Sequence, residues 1–186
     1  MQKSHFELIY RGMPVEPLLT ELDANPDIWD ERPERTFGES PHRETSDVWV
    51  RYADAHWLAR TGDFVGPHQS TWWPVVDRIP SVFAVWDRIR HALGGPLEFG
   101  GVLITRIPPG KRVYPHHDCG TWHAEHYDLK VWLPLRANEL CVNGVDDEEI
   151  VWRPGEAWSH NNLLTHWVRN EGTTERICLI MCFRRR

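Results

Sequence analysis

The 186-residue sequence has little cysteine and no pairing pattern for the little it has. Its four cysteines, Cys119, Cys141, Cys178 and Cys182, form no CxxC pair. Cys178 and Cys182 stand too far apart along one strand to bridge. A chain of this size buries a sizeable core without disulfide staples, so all four read as reduced thiols in a cytosolic setting. No apolar run is long enough to span a bilayer, and Met1 to His5 does not begin a signal peptide. Basic charge is also short: Lys and Arg total 21 against 27 Asp and Glu, a formal net charge of -6. That balance excludes a nucleic acid or a membrane recognised through bulk charge. Internal repeats, low-complexity tracts, an HExxH pair and any Ser/His/Asp arrangement are absent as well.

What the chain does have is tryptophan and histidine, 11 of each. Its texture changes near the middle of a single domain spanning residues 1–186. Residues 1–95 read as N-terminal helix and strand support. Up to about residue 46 they are irregular and polar, with a short helix over residues 16–22 and a turn at Asn25-Pro26-Asp27. Residues 47–52 alternate as a strand does. Residues 62–67 form a loop leading to an exposed-looking aromatic patch, Trp72-Trp73-Pro74. Ser81 is placed to cap a helix to about Leu93, with Val82, Val85, Trp86, Ile89 and Leu93 on one face, stopped by Gly94-Gly95-Pro96.

Residues 96–186 are short strands separated by turns at close intervals. The spacing predicts a mainly β fold, a sandwich or jelly-roll barrel, carrying the N-terminal segments on its outside. Arg153-Pro154-Gly155-Glu156 and Glu171-Gly172-Thr173-Thr174 read as hairpin turns.

Within that half, VYPHHD at residues 113–118 is the densest cluster of metal-binding side chains. In extended chain, residues two apart share a face about 6.6 to 7 Å apart. His116 and Asp118 then point one way and His117 the other. An imidazole and a carboxylate aimed at one point are two of the three ligands of a mononuclear iron facial triad, which leaves positions open for substrates. His166, in the apolar run Leu164-Thr165-His166-Trp167-Val168, is the candidate third ligand. His123 and His126 form a competing pair in a stretch expected to be a loop, and His160, near Asn161-Asn162, reads equally as a residue backing the metal ligands or as a solvent-facing turn. A hairpin tipped by Glu171-Gly172 would set Arg176 opposite His166 on one face, putting a carboxylate-gripping guanidinium in the same cavity as the metal.

RIPPG (106–110) running to YPHHD (114–118), KVWLPL (130–135), WRPGE (152–156), NN (161–162) and HWVRN (166–170) leading to Arg176 follow one another in order. Together they resemble the aspartyl/asparaginyl β-hydroxylase family of iron(II)- and 2-oxoglutarate-dependent oxygenases, over roughly residues 100–183. The resemblance implies a double-stranded β-helix, with His116, Asp118 and His166 as iron ligands and no catalytic side chain beyond the metal centre. It implies that Arg176 pairs with the far carboxylate of 2-oxoglutarate, that Lys130 stands where animal members carry a second cosubstrate arginine, and that Thr105 stands at a hydroxyl donor. Animal members that act on epidermal-growth-factor-like domains have glycine where this chain has Asp118, so the full triad is expected here. Lysine at 130 keeps the positive charge but loses the bidentate fork.

The implied activity is a dioxygenase that hydroxylates an unactivated C–H bond with release of succinate and carbon dioxide. The substrate would be an amino acid, a peptide or protein side chain, or another small molecule, which residues 1–95 do not distinguish. Arg51, His68, Trp72 and Trp73 are candidates for bounding its pocket. Two other readings stay open at this point: a cupin-like metalloenzyme that does not use 2-oxoglutarate, and a non-catalytic small-molecule-binding barrel.

Overall fold

The computed structural model describes residues 5–186, so residues 1–4, where the start of a signal peptide was sought, lie outside the description. In chain order it contains β1 (Phe6–Tyr10), α1 (Glu16–Ala24), β2 (Ser46–Ala53), α2 (Ala55–Thr61), β3 (Ser70–Trp72), α3 (Ser81–Leu93), β4 (Leu97–Ile107), β5 (Arg112–His116), α4 (Trp122–His126) and β6 (Leu129–Arg136). Then follow β7 (Cys141–Val145), β8 (Glu148–Val151), β9 (Ala157–His160), β10 (His166–Asn170) and β11 (Arg176–Arg185). The strands form two antiparallel sheets, ordered β1-β9-β6-β11-β4-β2-β3 and β5-β10-β7-β8. This is the expected mainly β jelly roll. No helix among the described residues is long and apolar enough to cross a membrane. Cys119 is exposed, the other three cysteines are buried, and none is bridged.

The larger sheet has two unlike faces, written in its sequence with the period of two that a pleated strand imposes. Val102 and Ile104 of β4, Val131, Leu133 and Leu135 of β6, and Ile177, Leu179, Met181 and Phe183 of β11 form one core with Leu18, Leu19 and Leu22 of α1 and Val82, Val85 and Ile89 of α3. Each such side chain buried stabilises the fold by about 1.5 to 3 kcal/mol. The intervening residues Gly101, Leu103 and Thr105, Lys130 and Trp132, and Arg176, Ile180 and Cys182 line a cavity of about 340 Å³ between the sheets. Alternation therefore separates the packing face from the chemical face along the same three strands.

The expected helix over residues 81–93 forms, but Ser81 does not cap it. Pro80 is the cap residue, and Ser81 gives its N–H and its hydroxyl to the Glu21 carboxylate, tying α3 to α1. The patch at residues 72–74 is not an exposed one. Trp73 is buried with its indole N–H on the Ala53 carbonyl, and Trp72 packs edge-on against Phe83 and Trp86. Residues 5–46 are also less irregular than expected, since β1 pairs with β9 and extends the larger sheet.

Neither expected C-terminal hairpin forms. β8 pairs with β7 in the smaller sheet while β9 pairs with β1 and β6 in the larger, so residues 152–156 cross between sheets. β10 pairs with β5 and β7, and β11 with β4 and β6, so residues 171–175 cross as well. Turn residues specify that the chain reverses, not which strand it pairs with next. One buried residue pins each crossing, Asn170 through its side chain and Gly155 through the lack of one. Asn170 donates to the carbonyls of Ile107 and Thr174 at 3.0 and 2.8 Å. Gly155, at φ 78°, lets Met13 approach so closely that a Cβ there would lie 2.8 Å from the Met13 carbonyl.

Candidate metal centre

His116 ends β5 and His166 begins β10, and the two are direct partners across the antiparallel pair, with ring centroids 4.3 Å apart. Asp118 lies two residues beyond the end of β5, and the backbone stays extended far enough to keep parity. His116 and Asp118 turn inward while His117 is exposed. A bond from the Asp118 N–H to the Asn162 carbonyl, 2.9 Å, holds this short extension in place. The ligand atoms of His116, Asp118 and His166 all fall within 4.8 Å of one another. His116 Nε2 and His166 Nε2 lie 3.7 and 4.0 Å from the same oxygen, Asp118 Oδ1.

The donor states suit a cation. His116 Nδ1 lies 2.8 Å from the Tyr114 carbonyl and His166 Nδ1 lies 3.0 Å from the Leu164 carbonyl. A carbonyl only accepts, so both Nδ1 atoms carry the proton and both Nε2 lone pairs face the centre. Burial, reinforced by His166 alongside, pulls the His116 imidazolium down to about 4, and burial lowers His166 too. Burial alone would raise the Asp118 carboxyl, but the Lys130 ammonium together with the His166 and His116 rings outweighs it and keeps the carboxylate ionised. Lys130 Nζ and Asn162 Nδ2 both bond Asp118 Oδ2. Oδ1 is thereby left facing the imidazoles.

The residues expected around the metal line the same cavity. Arg176, 2 % exposed, donates from Nη2 to Asn143 Oδ1 at 3.0 Å and lies 5.9 Å from the Trp152 ring centroid. Its Nε has no partner, and no carboxylate pairs with it among the described residues. A buried guanidinium without a counter-charge is costly unless an anionic ligand arrives. Thr105, also buried, has a hydroxyl without a partner. Both observations fit a dicarboxylate cosubstrate beside a three-ligand iron.

Other candidates are not brought to the centre. His123 and His126 lie on α4, where a loop was expected, but they face apart. The His123 ring is 5.1 Å from the Tyr52 ring, and His126 Nε2 is 2.8 Å from Glu98 Oε1. Arg51 donates to the carbonyls of Phe99 and Gly100, and Trp72 and Trp73 serve packing. His68 stacks on His123, one layer behind the cavity wall. His160 is no solvent-facing turn. Its ring stacks on Trp132 at 3.9 Å, lies 5.1 Å from His166 and leaves both nitrogens without partners.

Several neighbours carry no sequence signal for their role. His42 packs edge-on against His116 at 4.6 Å from irregular chain. Arg35 lines the cavity while donating from Nη1 to both oxygens of Asp47. Asp47, 1 % exposed, was the one available clue: an acid on the inward side of an apolar strand needs a buried partner.

The aspartyl/asparaginyl β-hydroxylase family profile matches residues 58–186, starting well before the block at residue 100 where the resemblance was first legible. Among solved structures, an oxidoreductase of the 2OG-Fe(II) oxygenase family from Burkholderia pseudomallei superposes with a TM-score of 0.58 at 13 % identity, covering 81 % of this chain and 73 % of that one. A prolyl-4-hydroxylase from Pseudomonas putida gives 0.55 at 16 % identity over 97 % and 91 % of the two chains. The viral collagen prolyl hydroxylase of Paramecium Bursaria Chlorella virus-1, solved with 2OG, gives 0.51 at 13 % identity over 98 % and 97 %. At these identities the structures speak for the fold, the double-stranded β-helix. No curated protein matches the sequence. With over two thirds of its length matched by the family profile and a His-Asp-His centre in that fold, the chain belongs to the aspartyl/asparaginyl β-hydroxylase family of iron(II)- and 2-oxoglutarate-dependent hydroxylases.

Proposed function

We propose that His116, Asp118 and His166 bind one iron(II), that Arg176 with Thr105 and Lys130 binds 2-oxoglutarate beside it, and that the enzyme hydroxylates a C–H bond of a small molecule or a peptide side chain. The observation that carries this is the pairing of a neutral two-histidine, one-carboxylate centre with a buried, carboxylate-free arginine in one cavity. When bound, iron(II) and 2-oxoglutarate would supply the oxidative chemistry with dioxygen as the oxidant, one oxygen atom ending in succinate as carbon dioxide leaves and the other in the substrate's new hydroxyl.

The chain's own part is positioning. Tyr114 and Leu164 carbonyls fix the two imidazole tautomers, and Lys130 with Asn162 fixes the carboxylate through Oδ2. Arg176, held by Asn143, presents the rest of its planar fork to the far carboxylate of the cosubstrate. Thr105 adds its free hydroxyl, and the Lys130 ammonium adds positive charge beside the acid end while it holds Asp118. Trp132, His160 and Trp152 close the cavity behind these groups and exclude water. On this reading residues 1–186 work as one domain, with residues 1–95 supporting the 96–186 core and contributing β2 to the cavity wall. Reduced, unbridged cysteines fit a cytoplasmic setting.

The test is anaerobic iron(II) titration of the protein followed by 2-oxoglutarate. A weak visible charge-transfer band should appear and should be lost in His166→Ala. An Arg176→Ala protein whose 2-oxoglutarate requirement is unchanged would point instead to a metalloenzyme that does not use it.

A further inference from the structure

The cavity has a second end that iron and 2-oxoglutarate leave free. Strand register separates the two ends. Arg176 stands opposite Ile107, Cys178 opposite Thr105, and Ile180 opposite Leu103, with Gly101 two residues farther along β4. On the other side of β11, Cys182 stands opposite Lys130. Arg176 and Cys182 are six residues apart, about 20 Å along a strand. Asp118 is bonded to Lys130, which stands in the row of Cys182, so the metal centre lies toward the Gly101 end, next to the wall there and away from Arg176.

That far wall is aromatic. Trp49 lies opposite Leu103, and its ring is 4.6 Å from Tyr52 and 5.2 Å from Phe64. Tyr52 in turn lies 4.8 Å from Phe64 and 5.1 Å from His123. Gly101 is what lets this wall close, because a Cβ there would sit 2.9 Å from His123 Cε1. A bond of 3.0 Å from the Trp122 N–H to the Val65 carbonyl ties the loop bearing Phe64 to α4, which bears His123 and Ala124. Val65, 53 % exposed, continues the apolar lining to the mouth.

The cations that line the cavity near this wall are paired, Lys130 with Asp118 and Arg35 with Asp47. Arg51, which donates to two backbone carbonyls and has no carboxylate partner among the described residues, does not line it. The Tyr52 hydroxyl donates to the Phe64 carbonyl at 2.8 Å. Burial pulls the His123 imidazolium down to about 3, so its ring is neutral at pH 7. A carboxylate entering here would lose its water and gain no counter-charge.

We propose that Trp49, Tyr52, Phe64 and His123, over Gly101 and Leu103, form the substrate subsite, and that it takes an uncharged hydrocarbon side chain or ring rather than an aspartate or asparagine side chain. The inference rests on the proposed function for which end of the cavity is free, and it names the substrate class of that same site. Apolar walls beside a few placed polar groups are the usual make-up of a small-ligand pocket. The total volume, about 340 Å³ shared with the cosubstrate, suits a side chain or a small molecule.

The test uses the full chain loaded with manganese(II), which holds the site without turnover, and 2-oxoglutarate. Calorimetry then compares the N-acetyl amides of leucine, phenylalanine, aspartate and asparagine. The leucine or phenylalanine amide should bind at least tenfold more tightly than the other two. Phe64→Asp, checked for folding by circular dichroism, should remove that preference, and Ala124→Trp, which fills the subsite from α4, should weaken the apolar probes at least tenfold. Aspartate or asparagine amide binding as tightly as leucine in the wild type would overturn the proposal, as would no binding of any amide at millimolar concentration. If the apolar amides bind and are lost in Ala124→Trp while 2-oxoglutarate shows no metal-dependent binding, the subsite stands and the proposed function falls.

Discussion

Replacing Arg176 by methionine should move two quantities in opposite directions. In the ligand-free protein, the guanidinium is 2 % exposed, donates to Asn143 and has no carboxylate partner among the described residues. Removing a buried charge that lacks a counter-ion relieves a desolvation penalty of several kcal/mol. Asn143 Oδ1 then loses its donor, at a cost of about 1 to 3 kcal/mol. Methionine keeps most of the volume, so no large cavity follows. The net should lie between neutral and a few kcal/mol stabilising for the apo-protein. Cosubstrate binding should fall steeply, because loss of one partner of a buried charged pair costs about 2 to 5 kcal/mol, roughly 30- to several thousand-fold in affinity. Differential scanning fluorimetry with manganese(II), with and without 2-oxoglutarate, reads both effects. At 100 times its dissociation constant the ligand stabilises wild type by about 2.7 kcal/mol. For a chain of this length that is a rise of about 5 to 11 °C. Arg176→Met should show an unchanged or higher apo midpoint and almost no ligand shift. A lower apo midpoint with the ligand shift retained would mean that Arg176 is a structural residue, and the assignment would fail.

Adjacent histidines should behave oppositely: His116→Ala should abolish iron binding and uncoupled succinate formation, while His117→Ala, at an exposed position, should leave both largely intact. Asn162→Ala frees Asp118 Oδ2 from one of its two donors and should weaken iron binding about 10- to 100-fold, read by metal titration, with the fold unchanged by circular dichroism. The metal-free protein should be acid-sensitive, because burial first, with His166 next for His116 and His160 and Lys130 next for His123, holds His116 at about 4 and His123 and His160 at about 3, while their unfolded values are near 6.5. The unfolded state therefore binds more protons below pH 6.5, and stability present above that pH is lost as pH falls, by about 4 kcal/mol per unit for three such groups until their folded values are reached. Urea midpoints that stay level between pH 7 and pH 4.5 would show these rings to be solvated.

Legibility in the sequence followed how local the determining physics was. Strand pleating sorts the residues of β4, β6 and β11, apolar toward the helices and Thr105, Lys130 and Arg176 toward the cavity, but in the sequence those three were legible only through the family resemblance. Parity at His116, His117 and Asp118 was readable from strand alternation itself. What the N-terminal half contributes was not. Arg35 and His42 reach the centre from irregular chain held by contacts such as the Tyr114 N–H on the Pro41 carbonyl, and no periodicity marks such a segment. Trp49 and Tyr52 read correctly as strand residues, but their meeting with Phe64 and His123 depends on where a loop and a five-residue helix come to rest.

The two misread hairpins have a common cause, and the difference bears on the chemistry. Had residues 171–175 closed a hairpin, Arg176 and His166 would have been cross-strand neighbours, with Cα atoms about 4.5 to 5.5 Å apart. A five-carbon diacid that bridges the metal to the guanidinium does not fit in that gap. As crossovers, residues 152–156 and 171–175 carry the chain from the smaller sheet to the larger, and sheets stack about 10 Å apart. His116 and His166 then stand on one sheet, and Arg176, Thr105 and Lys130 face them from the other. Asn170 is fully buried and links the end of β10 to the Ile107 and Thr174 carbonyls, so it fixes the crossing that creates this spacing. The separation between metal ligands and carboxylate clamp is set by sheet packing, and the sequence carries it in the residues that hold the crossing more than in the turn.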